Sequence, residues 1–233
     1  MKTLSPVFRY AGTVVDLLFP RWCTGCGREG EYICPSCRND LVAVEEPFCA
    51  RCGRPLTENG ACDNCSEGWQ IDGIRAPFLF GGVIRQAIHS LKYDNLRDIA
   101  PLLAGYMYDY LERHSLPADI IIPVPLHPGR LRERGYNQAA LLARNLGTRT
   151  GMPVMENRLE RRKFTPSLAT SPGREARREI VANAFGVNGD FTGRCIMLID
   201  DVSTSGATLN ACAAALKAAG ADSVYGLVAA LEK

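Results

Sequence analysis

Residues 193–208 read "GRCIMLIDDVSTSGAT". Four apolar residues, Ile196 to Ile199, run directly into Asp200 and Asp201, and these into small hydroxyl residues and Gly206. A short uninterrupted apolar run bounded by turn formers is the pattern of a strand buried in a parallel sheet. In an open α/β sheet ligands bind at the carboxyl ends of strands, and both acids fall at such an end. The Ala-rich stretch "GATLNACAAALKAAG" then reads as a helix stopped at Gly220. Its first turn offers backbone N–H groups with no partner inside the helix, together with the positive end of the dipole, which makes an anion site. Gly206 lets the backbone approach closely, Ala207 adds little bulk, and Ser203, Thr204, Ser205 and Thr208 supply hydroxyl donors. The carboxylates cannot serve the same anion. They suit a vicinal diol, and a ribose 5-phosphate unit carries both groups. One aspartate would suffice if the pair merely capped the helix.

Working outward, apolar segments alternate with helical patterns. "IRAPFLFGG" (Ile74–Gly82), "DIIIPVP" (Asp119–Pro125) and "SVYGLVAAL" (Ser223–Leu231) read as strands. The segments 83–93, 96–114 and 136–151 read as helices. This alternation predicts an α/β fold with a mostly parallel, Rossmann-like sheet. At 233 residues and 46% hydrophobic content the chain can bury a sizeable core, and a net charge of +2 neither demands nor excludes a polyanion. The apolar run near the N-terminus is broken by Asp16 and is followed by no cleavage signal, so it reads as an amphipathic helix ended at Pro20. No stretch reaches the roughly 18 apolar residues of a membrane span, and a reducing cytoplasm is the expected setting, without membrane insertion.

Residues 1–68 differ in kind from residues 69–233 and are expected to form a separate N-terminal unit. Eight of the ten cysteines lie there, as four C-x2-C pairs: Cys23/Cys26, Cys34/Cys37, Cys49/Cys52 and Cys62/Cys65. Each pair puts two thiolates on one tight turn, and two facing turns complete a tetrahedral sulfur site suited to Zn2+. The simplest grouping is Cys23, Cys26, Cys34 and Cys37 on one ion and Cys49, Cys52, Cys62 and Cys65 on another. Disulfides would need an export route, and a redox C-x-x-C is normally single and opens a helix. Four thiolates leave a metal no open position, so both sites should be structural and supply stability that so small a core lacks. With 7 Lys/Arg against 9 Asp/Glu, this unit is poorly suited to hold phosphates itself. Cys195 and Cys212 sit in apolar surroundings and read as small core residues.

"IMLIDDVSTSGAT" resembles the signature by which type I phosphoribosyltransferases bind phosphoribosyl pyrophosphate. The wider chain is similar to the ComF (competence protein F) family, in which a double zinc ribbon precedes a phosphoribosyltransferase-type domain. The matching stretches are "DLLFPRWCTGCG", "CPSCRNDL", "CARCGRP", "LKYDNLRDIA", "IIPVPLHPGRLRERGYNQAALLA" and the acidic signature, in order along nearly the whole chain. Ser205 stands where threonine is more usual, and the hydroxyl is kept. The resemblance implies that Asp200 and Asp201 hold the ribose 2- and 3-hydroxyls and that residues 203–208 wrap the 5-phosphate. It also implies a pyrophosphate loop carrying Arg130, Arg132 and Arg134, and a mobile loop over residues 161–178 with Arg161, Arg162 and Lys163. Lys92 is a further family-like position near the site. Mg2+ is expected to arrive with phosphoribosyl pyrophosphate.

Residues 123–178 hold 12 Lys/Arg against 4 Asp/Glu, much of the excess on two segments predicted to be loops. Pyrophosphate would account for such a patch, and so would a nucleic-acid backbone. Two expectations follow. One is a phosphoribosyltransferase acting on an acceptor that no residue identifies. The other is a non-catalytic single-stranded-DNA-binding or adaptor protein, working with DNA-uptake or recombination proteins, whose acidic site is regulatory. In the second, Tyr136 and Phe164 are candidates to stack bases.

Overall fold

The computed structural model describes residues 20–62, 65, 68–161 and 184–232. The expected N-terminal helix, Arg162, Lys163 and Phe164 lie outside the described residues. The elements are α1 (Pro35–Asn39), β1 (Gly73–Arg75), β2 (Phe78–Leu79), α2 (Gly82–Tyr93), a 3-10 turn (Arg97–Ile99), α3 (Ala100–Arg113), β3 (Ile120–Pro123), α4 (Pro128–Arg134), α5 (Gln138–Thr150), β4 (Leu159–Arg161), β5 (Phe185–Val187), β6 (Cys195–Ser203), α6 (Ala207–Ala218) and β7 (Ser223–Leu231).

The main sheet runs β1-β7-β6-β3, with β2 also on β7. Every pairing in it is parallel. The predicted strand over Ile74–Gly82 is in fact two short strands. Proline lacks an N–H to donate to the ladder, and the break falls at Ala76 and Pro77. β6 and β7 are buried along most of their length, as the unbroken apolar runs require. Ile196 and Leu198 face one core with Leu209, Cys212, Ala213 and Leu216 of α6. Met197 and Ile199 face the other, with α2, α3 and α5. Helices on both faces bring β6 to the centre of the molecule and its carboxyl end to a surface cleft. β4 and β5 form a separate antiparallel pair.

The cysteine-rich segment is fastened to the sheet edge. The Val44 N–H donates to Pro77 O at 3.0 Å, Leu79 N–H to Val42 O at 2.8 Å, and Ile74 N–H to Arg51 O at 2.8 Å. Cys23, Ile33, Cys34 and Cys37 share a core with Val83, Ile84 and Ala87 of α2.

Candidate functional site

Adjacent strand residues point to opposite faces, so Asp200 and Asp201 leave β6 on different sides. Asp201 continues the Met197/Ile199 face, toward α2 and α5. It is only 2% exposed, and a buried carboxylate must find partners. Lys92, in the last turn of α2, sets Nζ against Asp201 Oδ2. Gln138 Nε2, at the first turn of α5, donates to Oδ1 at 3.0 Å. Arg134 Nη1 in turn donates to Gln138 Oε1 at 2.5 Å, and its guanidinium lies 5.3 Å from the Tyr93 ring centroid. Asp201 is therefore held by two partners, Lys92 and Gln138, before any ligand arrives.

Asp200 takes the other face and stays half-buried. Its Oδ1 accepts from the Asp201 N–H at 2.9 Å. Burial, and then the neighbouring Asp201 charge, push its carboxyl well above the usual carboxylate range, against a weaker pull from Lys92. Cys212 lies buried on the same side, its thiol pushed up by burial and then by the Asp200 charge. Arg161, at the end of β4, feels Asp200 as well. Its guanidinium is brought below its ordinary pKa by burial, with a further push from Arg130. Of the basic candidates, Lys92 thus pairs with Asp201 and Arg134 reaches it only through Gln138, while Arg161 senses the Asp200 charge and is repelled by Arg130.

After the acids the chain closes a small bowl of about 40 Å3, lined by Asp200 and residues 202–209. Gly206 is the N-cap of α6 with φ 74°, and no side chain caps the helix there. A Cβ on Gly206 would stand 2.6 Å from the Trp69 ring, so the residue is demanded by both backbone and packing. Ser205 Oγ accepts from the Ala207 N–H at 3.4 Å. Ser203 is the last residue of β6 and 5% exposed, so the open part of the loop is Thr204 and Ser205, with Ala207 and Thr208 partly exposed and Gly206 buried. A larger cavity of about 530 Å3, lined by Leu41 to Ala43, Glu45 to Pro47, Pro55, Leu56 and Leu79, lies apart from this chemistry.

The eight N-terminal cysteines fall into the two expected groups, each with its four sulfurs within 4.8 Å of one another. Tetrahedral Zn2+ with Zn–S near 2.3 Å requires S···S separations of about 3.8 Å. The sulfurs of Cys26 and Cys34 are 3.7 Å apart, those of Cys49 and Cys65 3.5 Å, and those of Cys52 and Cys62 3.5 Å. These spacings fit a shared metal and are far too long for disulfides. Without the ion the thiols disagree. Burial raises Cys23, but donation from the Cys34, Cys26 and Gly25 backbone outweighs it and brings the thiol down to about 6. Burial and then the neighbouring Cys26 and Cys23 side chains push Cys37 up to about 12. A lowered Cys23 thiol beside a raised Cys37 thiol is a site that a cation completes.

Several expectations need revision. Residues 128–134 form a short helix, not a loop, capped by His127 Nδ1 accepting from the Gly129 N–H at 3.1 Å and closed by Gly135 at φ 78°. Arg130 and Arg132 are exposed on it, and Arg132 is not drawn into the acidic cluster. Tyr136 cannot stack a base. It is 8% exposed, donates its hydroxyl to Leu91 O and is covered by Arg97 at 4.4 Å. Cys212 is fully buried as expected, whereas Cys195 is half-buried at the strand start. Sequence reading missed Gln138, Trp69 and Arg54. Gln138 lies inside the quoted "GYNQ", where burial of a polar residue next to a helix cap is not visible. Trp69 had a signal, a large aromatic in an otherwise polar connection. Arg54 had none, since its partners lie far along the chain.

A parallel α/β sheet with an acidic strand end, preceded by two four-cysteine centres, defines the class of protein. Residues 14–66 match the double zinc ribbon domain family. The chain is 31% identical over 212 residues to competence protein F of Haemophilus influenzae, covering 85% of this chain and 90% of that one. It therefore belongs to the competence protein F family. It is also 28% identical to competence protein ComFC of Bacillus subtilis, over 77% of this chain and 75% of that one. A DNA utilization protein, YhgH of Escherichia coli O157:H7, is 29% identical over 76% of this chain and 80% of that one. Among solved structures, a glutamine phosphoribosylpyrophosphate amidotransferase from Bacillus subtilis overlaps at a TM-score of 0.38 and 20% identity. The overlap covers 55% of this chain and a quarter (25%) of that one. Among the described residues no helix is long and apolar enough to cross a membrane.

Proposed function

We propose that this chain binds phosphoribosyl pyrophosphate with Mg2+ at the carboxyl end of β6, in the service of DNA uptake. One observation carries the reading: a half-buried aspartate opens directly onto a small, glycine-capped helix N-terminus, so a diol site and a phosphate site are adjacent. In this reading Asp200 accepts from the ribose hydroxyls, and Asp201, seated by Lys92 and Gln138, fixes the end of the strand that presents it. The amides of residues 204–208 take the 5-phosphate. Arg161 senses the Asp200 charge, and Arg130 is close enough to repel Arg161, so both are candidates for the cations a diphosphate would need. Mg2+ bound with the ligand would neutralise charge on the leaving diphosphate. Transfer to an acceptor would then proceed through an oxocarbenium-like state, with the protein positioning groups and stabilising charge. Calorimetric titration with Mg2+ and phosphoribosyl pyrophosphate tests the site. Saturable binding is expected in the wild type and none in an Asp200→Asn/Asp201→Asn double variant. Absence of wild-type binding would sink the reading.

A second reading has its own observation. Tyr93 is 66% exposed, carries Arg134 over its ring, and stands beside an exposed helix bearing Arg130 and Arg132. An aromatic among cations is the composition of a single-strand platform, and relatives named for competence and DNA utilization agree with it. Arg130→Ala/Arg132→Ala should weaken binding to labelled single strands and flatten its salt dependence. Unchanged affinity and slope would exclude this helix as the surface.

A further inference from the structure

Residue 54, at the Cys49/Cys52 knuckle of the second thiolate centre, is a buried arginine, 7% exposed. Its Nε donates to Glu232 O at 2.8 Å. Its Nη2 donates to Thr204 O, in the middle of the loop after the acids and 150 residues away in sequence. The same residue closes the knuckle, because the Cys49 N–H donates to Arg54 O at 2.7 Å and the Gly53 N–H to Cys49 O at 2.9 Å. The knuckle is pressed onto β1. A Cβ on Gly53 would stand 2.3 Å from Ile74 O, the Ile74 N–H donates to Arg51 O, and Arg75 Nη1 donates to Ala50 O at 2.8 Å. The Glu232 N–H returns to Ser203 O at 3.0 Å, so Arg54 bridges both ends of one short circuit. On the loop's other flank, Asn210 Oδ1 accepts from the Gln70 N–H at 2.6 Å and holds the chain beside Trp69 on α6.

We infer that Arg54 is a positioning residue for the ligand loop, and that the second thiolate centre is a working part of the acidic site. The metal holds the knuckle, the knuckle holds Arg54, and Arg54 holds the loop. In a trans peptide the N–H points away from the C=O, so pinning Thr204 O toward the guanidinium turns the Ser205 N–H away from it and fixes the direction of one anion donor. The planar fork serves two carbonyls at once, which a lysine ammonium on its single stem does less well. The buried cation also adds a fixed positive charge behind the loop.

The inference about ligand affinity rests on the proposed phosphate site, whereas the inference about the loop does not. Hydrogen–deuterium exchange over residues 203–209 is therefore measured beside phosphoribosyl pyrophosphate titration and zinc content. The samples are full-length wild type, Arg54→Ala, Arg54→Lys, and wild type stripped of zinc. Zinc content should stay at wild-type level in Arg54→Lys while its loop exchanges faster. In Arg54→Ala both exchange and ligand affinity should change by about 10- to 100-fold, the loss of a charge-assisted hydrogen bond. Zinc removal should open the loop of the wild type in the same way. If Arg54→Ala fails to fold, Arg54→Lys and the stripped wild type carry the test. Wild-type exchange in zinc-loaded Arg54→Lys and in the stripped wild type would overturn the inference. A loop that opens as expected in a protein that does not bind phosphoribosyl pyrophosphate would support the positioning role and defeat the ligand reading.

Discussion

At the residue scale the site is built from one compensated charge and one left uncomfortable. Asp201 has Lys92 and Gln138, and Asp200 has mainly the neighbouring acid and a low-dielectric face. A carboxyl whose pKa is raised on folding binds protons more tightly in the native state than in the unfolded chain, so it subtracts stability as pH rises. The loss begins near the ordinary value of 3.8 and grows until pH passes the raised value. Asp200→Asn should therefore unfold at a higher temperature than wild type at pH 7, by about 2–4 °C for each kcal/mol relieved at this chain length. The gain should vanish as pH falls below the usual carboxylate range, while ligand binding at pH 7 is lost. A melting series from pH 3.5 to 8 checks the sign, and an asparagine variant less stable than wild type at pH 7 would show Asp200 to be compensated. The presence of two acids was legible in the bare sequence, because charge at the end of an apolar run has few uses. Their division of labour was not, since it depends on Lys92 and Gln138 arriving from helices on one face only.

At the scale of elements, the buried strands and their helices follow from sequence because each is locally over-determined. β6 and β7 are apolar runs, α5 starts at Asn137, whose side chain accepts from the Ala139 N–H at 3.0 Å, and it ends at Gly151 with φ 74°. α4 was hidden because "PGRLRER" has no apolar stripe, and it is instead defined by its caps. The thiolate pairs were the clearest local signal of all. Their chemistry fixes another outcome. Cys37, Cys52 and Cys65 all have thiols raised above the ordinary range, with burial the largest cause in each, so at pH 7 they are protonated without metal. Zinc needs thiolates, so loading must expel those protons. Calorimetric zinc titrations in buffers of different ionisation enthalpy should show proton release at both centres and an affinity that rises with pH. Heat independent of the buffer would mean the thiolates are already formed.

On the scale of the whole molecule, the cysteine-rich segment and the sheet are less separable than composition alone implies. The change in character near residue 68 is real in the sequence, but long-range hydrogen bonds cross it, and no composition window reports those. One covered sheet edge is the result. Residues 42–44 and 51 bond to β1, β2 and the residues between them, and at the far edge Pro153 and Met155 bond to Ile121 of β3. An unpaired strand edge is a template for other chains. The ribbon is thus a selvedge, the finished border that keeps a woven sheet from joining the next one. Stripping zinc should therefore uncover β1 and β2 and let molecules pair through them, which light scattering of the stripped protein would report, and the border would be lost together with the loop that it holds.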